Sequence, residues 1–475
     1  AVLNNLPIGK YYVVEEKAGQ NCVLDSEAKE FEIAYKGQEV AVDYVTMELT
    51  NQRQKVSLSL LKKDAETRKP LEGVVFGLYA QEDIKNAVGE VVVEKDALIE
   101  LGTTDEEGKL VFQADLPHGK YYIQEVEHKP GYLPNDEVYS FDASYTDQTL
   151  ELLAFSEEIS NQPTITEFTK VDLTGGQEIE GAKMQILDQE GKVVEEWVSK
   201  KEAHVVYALA PGEYILHEEQ APTEQGYVRA EDVKFVVEET GDVQKVKMED
   251  DHTKVSISKT DITDGKEIEG AKLQVLDQDG EVVESWTTGE EHLIEYIPVG
   301  TYTLHEEAAI DGYIVANDVE FTVEETGEIQ KVKMEDERAM GQLVIVKTDA
   351  DSKAALEGVE FVLLEKETGE EVGRLKTGKD GKAVSELLPI GTYENGVFKE
   401  PITYVLKETV TLKGYEKTEE EWEIVFTYQN DKTPVIEVVK EIQNKKIPET
   451  PGTVKPGPKT GDDTNWFLPL LALGV

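Results

Sequence analysis

The sequence predicts an all-β protein, built as a tandem array of small antiparallel β-sandwich modules. Three observations predict it. Apolar residues come in short runs rich in Val, Ile, Tyr and Phe, the residues that pack well on a pleated, half-buried surface. These runs alternate with polar residues at a period of two, and few segments show helical spacing. Long stretches also recur: "KVDLTGGQEIEGAKMQILD" from Lys170 returns as "KTDITDGKEIEGAKLQVLD" from Lys259. Repetition on this scale marks stacked or tandem units.

The elements follow in order. "LPIGKYYVVEEKAG" at the start resembles the second half of a unit, so residues 1–52 read as a partial module. Whole modules are expected at 53–162, 163–252, 253–338 and 339–431. The first carries an insertion near 82–100, where a short helix would fit. Within the second, "DVKFVVEE", Thr240-Gly241-Asp242 and "VQKVKM" read as a hairpin with a glycine in its turn. Residues 432–465 are rich in Pro, Gly and Thr, the composition of an extended linker. Residues 466–475 are apolar. A membrane span needs roughly 20 such residues, so this run reads as the start of a truncated span, and the sequence as a piece of a longer chain.

Charge and cysteine narrow the function. The chain has 475 residues, with 98 acidic against 48 basic and a net charge of −50. Phosphate binding needs a basic face, so nucleic acid is excluded as a partner. Such charge suits a soluble, self-repelling stalk, but an ordinary solvated acidic surface is the reading that carries more weight. Cys22 is the single cysteine, so no intrachain disulfide can hold the modules together.

Side-chain parity along the strands places charged residues on the core side. Val56, Leu58 and Leu60 lead to Lys62; Val255 and Ile257 to Lys259; Leu343 and Ile345 to Lys347; Phe168 leads to Lys170, although Thr166 breaks that face. A pattern Y-x-[VIL]-x-E recurs five times and ends in Glu15, Glu125, Glu218, Glu306 and Glu408. At the end of each unit the same test gives Asn51, Asn161 (with Glu157 interrupting), Asp250, Asp336 and, after Ile424, Phe426 and Tyr428, Asn430. Unpaired buried charge is costly. A strand-end lysine reaching solvent along its stem, or a buried ion pair, would account for one such residue. Three partners recurring in four modules point to chemistry that removes the charge. Burial lowers a lysine pKa and raises a glutamate's. The neutral amine is a nucleophile, and a protonated glutamate can polarise a side-chain carbonyl and shuttle protons. The product would be a Lys–Asn or Lys–Asp amide, with loss of ammonia or water.

The modules resemble the collagen-adhesin B-type repeats, also called SpaA-type or prealbumin-like (Ig-like) domains, of Gram-positive surface proteins and pilins. The residues carrying the resemblance are "KTD" or "KVD", then "EGAKLQVLD", "EGVVFGLY" or "EGVEFVLLE", then "PVGTYTLHEEAAIDGY" and a closing Asn or Asp. The resemblance implies intramolecular isopeptide bonds: Lys62–Asn161 with Glu125, Lys170–Asp250 with Glu218, Lys259–Asp336 with Glu306, and Lys347–Asn430 with Glu408. Glu15 and Asn51 would belong to a module whose lysine lies outside this sequence. "GPKTGDD" resembles an LPxTG-type sorting signal: Pro458, Thr460 and Gly461 match around Lys459, while Gly457 stands where Leu is usual. That implies cleavage after Thr460 by a sortase, linkage to peptidoglycan, and only transient contact with the membrane. The expected localisation is the outer surface of a Gram-positive cell wall.

The leading expectation is a wall-anchored stalk or adhesin-type structural protein. A minor or basal pilin is the alternative; no clear "YPK" pilin motif is seen. A matrix- or glycan-binding module is a further one, with residues 82–100 as its candidate site. No H-E-x-x-H, G-x-S-x-G or P-loop suggests an enzyme acting on outside substrates. His217 and His305 face away from the inward glutamates. Asp349–Glu360 fails as an EF-hand, because it lacks the loop glycine and carries Lys353. No cofactor or metal is expected.

Overall fold

The computed structural model describes residues 1–86, 88–144 and 147–449, and among them it is built from strands. The one named helical element is a 3-10 turn at Thr223–Gln225. The chain divides into two compact units: Ala1–His252 with Glu325–Gly327, and Thr253–Glu324 with the chain from Glu328 on.

Each whole module is a two-sheet sandwich around its own apolar cluster. In the first, Lys55–Asp64 lies between Leu152–Asn161 and Lys109–Val111; the facing sheet runs Val138–Asp142, Lys120–Glu127, Val75–Ala80, Leu98–Thr103. The second and third repeat the plan around Ile165–Asp172 and Lys254–Asp261, and the fourth around Met340–Asp349. Alternation sets the core: Leu58 and Leu60 are buried on one face of the first strand, as Val255 and Ile257 are in the third module.

The sheets are antiparallel, with one parallel pair per whole module. The first strand runs parallel to the last: Lys55–Asp64 beside Leu152–Asn161, Ile165–Asp172 beside Val243–Asp250, Lys254–Asp261 beside Ile329–Arg338, and Met340–Asp349 beside Val435–Asn444. Sequence-distant ends thereby become neighbours.

Three expectations are corrected. The segments around Thr240-Gly241-Asp242 do not form a hairpin. Val233–Val237 pairs with Gly212–Gln220, whereas Val243–Asp250 pairs with Ile165–Asp172 in the other sheet. The turn crosses the sandwich, so that Val237 and Met248 enter one core from opposite sides. Among the described residues the insertion of the first module holds no helix; Ile84–Lys85 pairs with Val91–Val93. Its turn is closed by Asn86, whose Oδ1 accepts from the Val88 and Glu90 N–H groups, and the β-branched run Val91–Val93 favours a strand. The fourth module does not end at 431. Its last strand is Val435–Asn444, inside the stretch expected to be linker. The sorting motif Pro458–Gly461 and the apolar run 466–475 lie outside the described residues. No helix among the described residues is long and apolar enough to cross a membrane.

Candidate crosslinking sites

The parallel register builds the site. Lys62 stands opposite Ile159, so Asn161 lies one diagonal step along the same inward face; Asp64 is directly opposite Asn161. The offset repeats: Lys170 opposite Met248, Lys259 opposite Met334, Lys347 opposite Ile442. The glutamate arrives from the facing sheet, on Lys120–Glu127, Gly212–Gln220, Gly300–Ala308 and Thr403–Val410.

The structure brings together Lys62, Glu125 and Asn161. Lys62 Nζ is 2.7 Å from Glu125 Oε2 and donates to Asn161 Oδ1. Asn161 Nδ2 donates to Glu125 Oε1 and Oε2 at 2.9 and 3.0 Å. The lysine is fully buried, 0 % exposed. Burial pulls its pKa below the usual lysine range, against the opposing pull of Glu125.

In the fourth module Lys347 meets Glu408 at 2.8 Å and donates to Oδ1 of Asn444 at 2.5 Å, not of Asn430. Asn444 Nδ2 donates to Glu408 Oε1 at 2.7 Å and to Thr411 Oγ1 at 2.7 Å. Asn430 is exposed, and its Oδ1 accepts from Lys432 N–H and Thr433 Oγ1 in a turn. The expected Lys347–Asn430 pairing is therefore wrong. The error has a physical source. Ile424 and Phe426 do face the core, but from the facing sheet, and Lys440 interrupts the inward face of the true last strand. That lysine lies over the Trp422 ring at 6.0 Å. Burial also lowers the Lys347 pKa, against the pull of Glu408.

The second and third modules carry an aspartate instead. Lys170 Nζ is 2.9 Å from Glu218 Oε2 and also contacts Asp250 Oδ1. Lys259 Nζ is 3.0 Å from Glu306 Oε2 and contacts Asp336 Oδ1. One lysine here faces two buried carboxylates. Glu218 Oε1, Asp250 Oδ2, Glu306 Oε1 and Asp336 Oδ2 have no donor among the described residues. A proton held between glutamate and aspartate satisfies each pair. In keeping with this, burial pushes Asp250 and Asp336 up to about 7, with Lys170 or Lys259 opposing and the neighbouring glutamate adding to the rise. Each asparagine site needs no such proton, because the amide N–H₂ is itself the donor.

In residues 1–52, Asn51 Nδ2 donates to Glu15 Oε2 at 2.5 Å and to Val23 O at 2.9 Å. His217 and His305 turn away from the glutamates and meet Asp232 and Asp318, each at 2.7 Å.

A second set of side chains accompanies every whole site. The aspartate two positions after the lysine, namely Asp64, Asp172, Asp261 or Asp349, is buried. Its partner is a tyrosine hydroxyl: Tyr132 to Asp64 Oδ2 at 2.9 Å, Tyr313 to Asp261 Oδ2 at 2.7 Å, Tyr415 to Asp349 Oδ2 at 2.8 Å, and Tyr227 to Asp172. Parity alone gives these residues no role. Their signal is the paired recurrence of K-x-D and G-Y in all four modules. The glycine has a positive φ each time: +90° at Gly131, +78° at Gly226, +89° at Gly312, +91° at Gly414. That left-handed backbone favours glycine.

A model of the SpaA prealbumin-like fold domain matches residues 56–155, 164–252, 253–338 and 341–442. The chain belongs to this family. The fourth SpaA match covers most of the strand that ends at Asn444. No curated protein sequence matches. Among solved structures, the Bacillus anthracis TIE protein is 20% identical, covering 93% of this chain and 76% of that one, with a TM-score of 0.42. BcpA, the major pilin subunit of Bacillus cereus, is 15% identical over 60% of this chain and 100% of its own, with a TM-score of 0.26. The full-length major pilin SpaD from Corynebacterium diphtheriae is 16% identical over 83% and 98%, with a TM-score of 0.22.

Proposed function

We propose that the protein is a surface stalk whose SpaA modules are each closed by an autocatalytic amide: Lys62–Asn161, Lys170–Asp250, Lys259–Asp336 and Lys347–Asn444. One observation carries this reading: a lysine amine, a glutamate and an amide or carboxyl carbon meet in all four cores. The neutral Nζ attacks Cγ of the Asn or Asp. The protonated glutamate gives its proton to the carbonyl oxygen as the C–N bond forms, takes one from the nitrogen, delivers it to the leaving group, and recovers the first as the carbonyl reforms. A C–N bond forms, the Cγ–Nδ2 or Cγ–O bond breaks, and ammonia or water departs. No oxidant or cofactor takes part, and the chain does not act on other substrates.

Around this core the reading extends to the cell surface. Sortase would join Thr460 to peptidoglycan, and the acidic surface would keep a displayed stalk soluble. A minor or basal pilin is the nearest variant, and a matrix protein or glycan would be a partner of either. Intact-mass spectrometry of the folded chain tests the chemistry. The expected deficit is two ammonias and two waters. Lys259→Ala should restore one water, and Glu306→Ala should do the same. A mass equal to that of the unmodified chain would reject the crosslinks.

A further inference from the structure

The aspartate and its tyrosine partner are not needed as reactants, yet every whole module holds them beside the site, with Tyr132 and Tyr313 buried and Tyr227 and Tyr415 half-buried. The loop that carries the tyrosine leaves the glutamate strand and touches three things. Its backbone bridges the chain just past the acyl residue: Tyr132 to Pro163, Tyr227 to His252, Tyr415 to Lys446, and Tyr313 to Arg338. Its tyrosine hydroxyl reaches the lysine strand through the aspartate. Three residues later, in three modules, its backbone N–H donates to the glutamate: Asn135 to Glu125 Oε1 at 3.2 Å, Ala230 to Glu218 Oε2 at 2.8 Å, and Ala316 to Glu306 Oε2 at 2.6 Å. The aspartate is itself fixed, since its Oδ1 accepts turn N–H groups, from Glu66 and Thr67 for Asp64 and from Thr174 and Gly175 for Asp172.

We infer that the Tyr–Asp pair is a latch that positions the glutamate for amide formation. It pins the loop to the lysine strand, so that the loop N–H holds the carboxylate with an oxygen turned toward the acyl group. Tyr132, Tyr227 and Tyr313, with Asp64, Asp172 and Asp261, are thus positioning residues acting through the loop. Burial, then the hydrogen bond to the aspartate, then the aspartate's charge push the Tyr132 and Tyr313 hydroxyls far above their ordinary range, so each remains a donor. This inference rests on the crosslinking reading above.

The four modules of one chain provide their own controls. The full chain is recovered from inclusion bodies before it has ever folded, kept in denaturant, and then folded by dilution. Timed samples are digested, and each Lys–Asn or Lys–Asp peptide pair is quantified by mass spectrometry. Tyr132→Phe removes only the hydroxyl. It should slow the Lys62–Asn161 bond on the order of ten- to a hundredfold, the usual effect of a small misplacement of a reacting group, and leave the other three bonds at their normal rates. It should also change the shape of the pH–rate profile for that bond, which a uniform loss of stability would not. Asp64→Asn keeps a partner for the tyrosine and for the turn, and should retain most of the rate. Ala230→Pro deletes the N–H donated to Glu218 without touching a latch, and should slow the Lys170–Asp250 bond alone. This arm keeps the inference testable if Tyr132→Phe prevents the first module from folding. A normal Lys62–Asn161 rate in Tyr132→Phe, or a normal Lys170–Asp250 rate in Ala230→Pro, would overturn the latch and leave the crosslinks standing. Absence of every bond from the unsubstituted chain would instead overturn the reading beneath it.

Discussion

Raising the pH during crosslinking should separate the modules into two classes. In the second and third modules the unreacted site holds a lysine and two carboxyl groups. Its reactive arrangement, with a neutral amine and both carboxyls protonated, contains the same number of protons as a lysine cation beside one shared-proton carboxyl pair. Loss of that shared proton leaves an uncompensated buried negative charge and no reactive tautomer. Asp250 and Asp336 sit at about 7, raised above their unfolded range chiefly by burial. The protonated, reactive form therefore predominates well below pH 7, is half-populated near it and declines as pH rises further. Each further unit should cost about tenfold in rate, since one pKa unit is about 1.4 kcal/mol; at pH 9 the deficit is on the order of a hundredfold. The first and fourth modules carry Asn161 and Asn444, whose amide donates to the glutamate without any added proton. Their rates should not fall in that window. The assay folds chain recovered unfolded from inclusion bodies by dilution into buffers from pH 6 to 9, with each crosslinked peptide pair quantified by mass spectrometry. Identical profiles in all four modules, or faster Asp-module reaction at high pH, would refute the shared-proton argument.

Other outcomes follow from the same geometry. Asn444→Ala should abolish the fourth crosslink, read as the missing peptide pair, while Asn430→Ala should leave it intact. Lys347→Met should lower the stability of the fourth module by about 4–5 kcal/mol through the lost constraint on the unfolded chain, seen as earlier unfolding of that module by hydrogen exchange. Arg338 donates to the buried Asp261 carboxylate at 2.6 Å and lies over the Tyr393 ring at 4.2 Å. Arg338→Ala should cost about 2 kcal/mol, the scale for a hydrogen bond to a charged group, measured by calorimetry of the full chain, with amide protection lost first near Asp261.

Much of the site was legible because a strand has a strict period of two. Lys62, Glu125 and Asn161 could be placed on one inward side by counting, and so could the sets around Lys170 and Lys259. Counting reports a face, however, and not a sheet. Val233–Val237 and Val243–Asp250 each alternate cleanly, yet they belong to opposite sheets. Asn430 fell to the same ambiguity: it continues the parity of Ile424 and Phe426 beyond the facing-sheet strand Glu421–Val425. The true strand was hidden because Lys440 occupies one of its inward positions. The hairpin of Gly391–Glu394 with Val397–Pro401 also lengthened the module past the expected boundary. The aspartate of K-x-D was visible as a repeat, but its purpose needs the parallel register and the distant tyrosine, which no local pattern contains.

The parallel pairing of first and last strands has a mechanical meaning. A pull on the two ends of a module enters at the start of one strand and leaves at the end of its neighbour. The ladder between them is then sheared as a block, and its hydrogen bonds must yield together instead of peeling apart singly. With the amide formed, tension would pass from Lys62 straight to Asn161, and the residues in between would be slack under any force short of bond rupture.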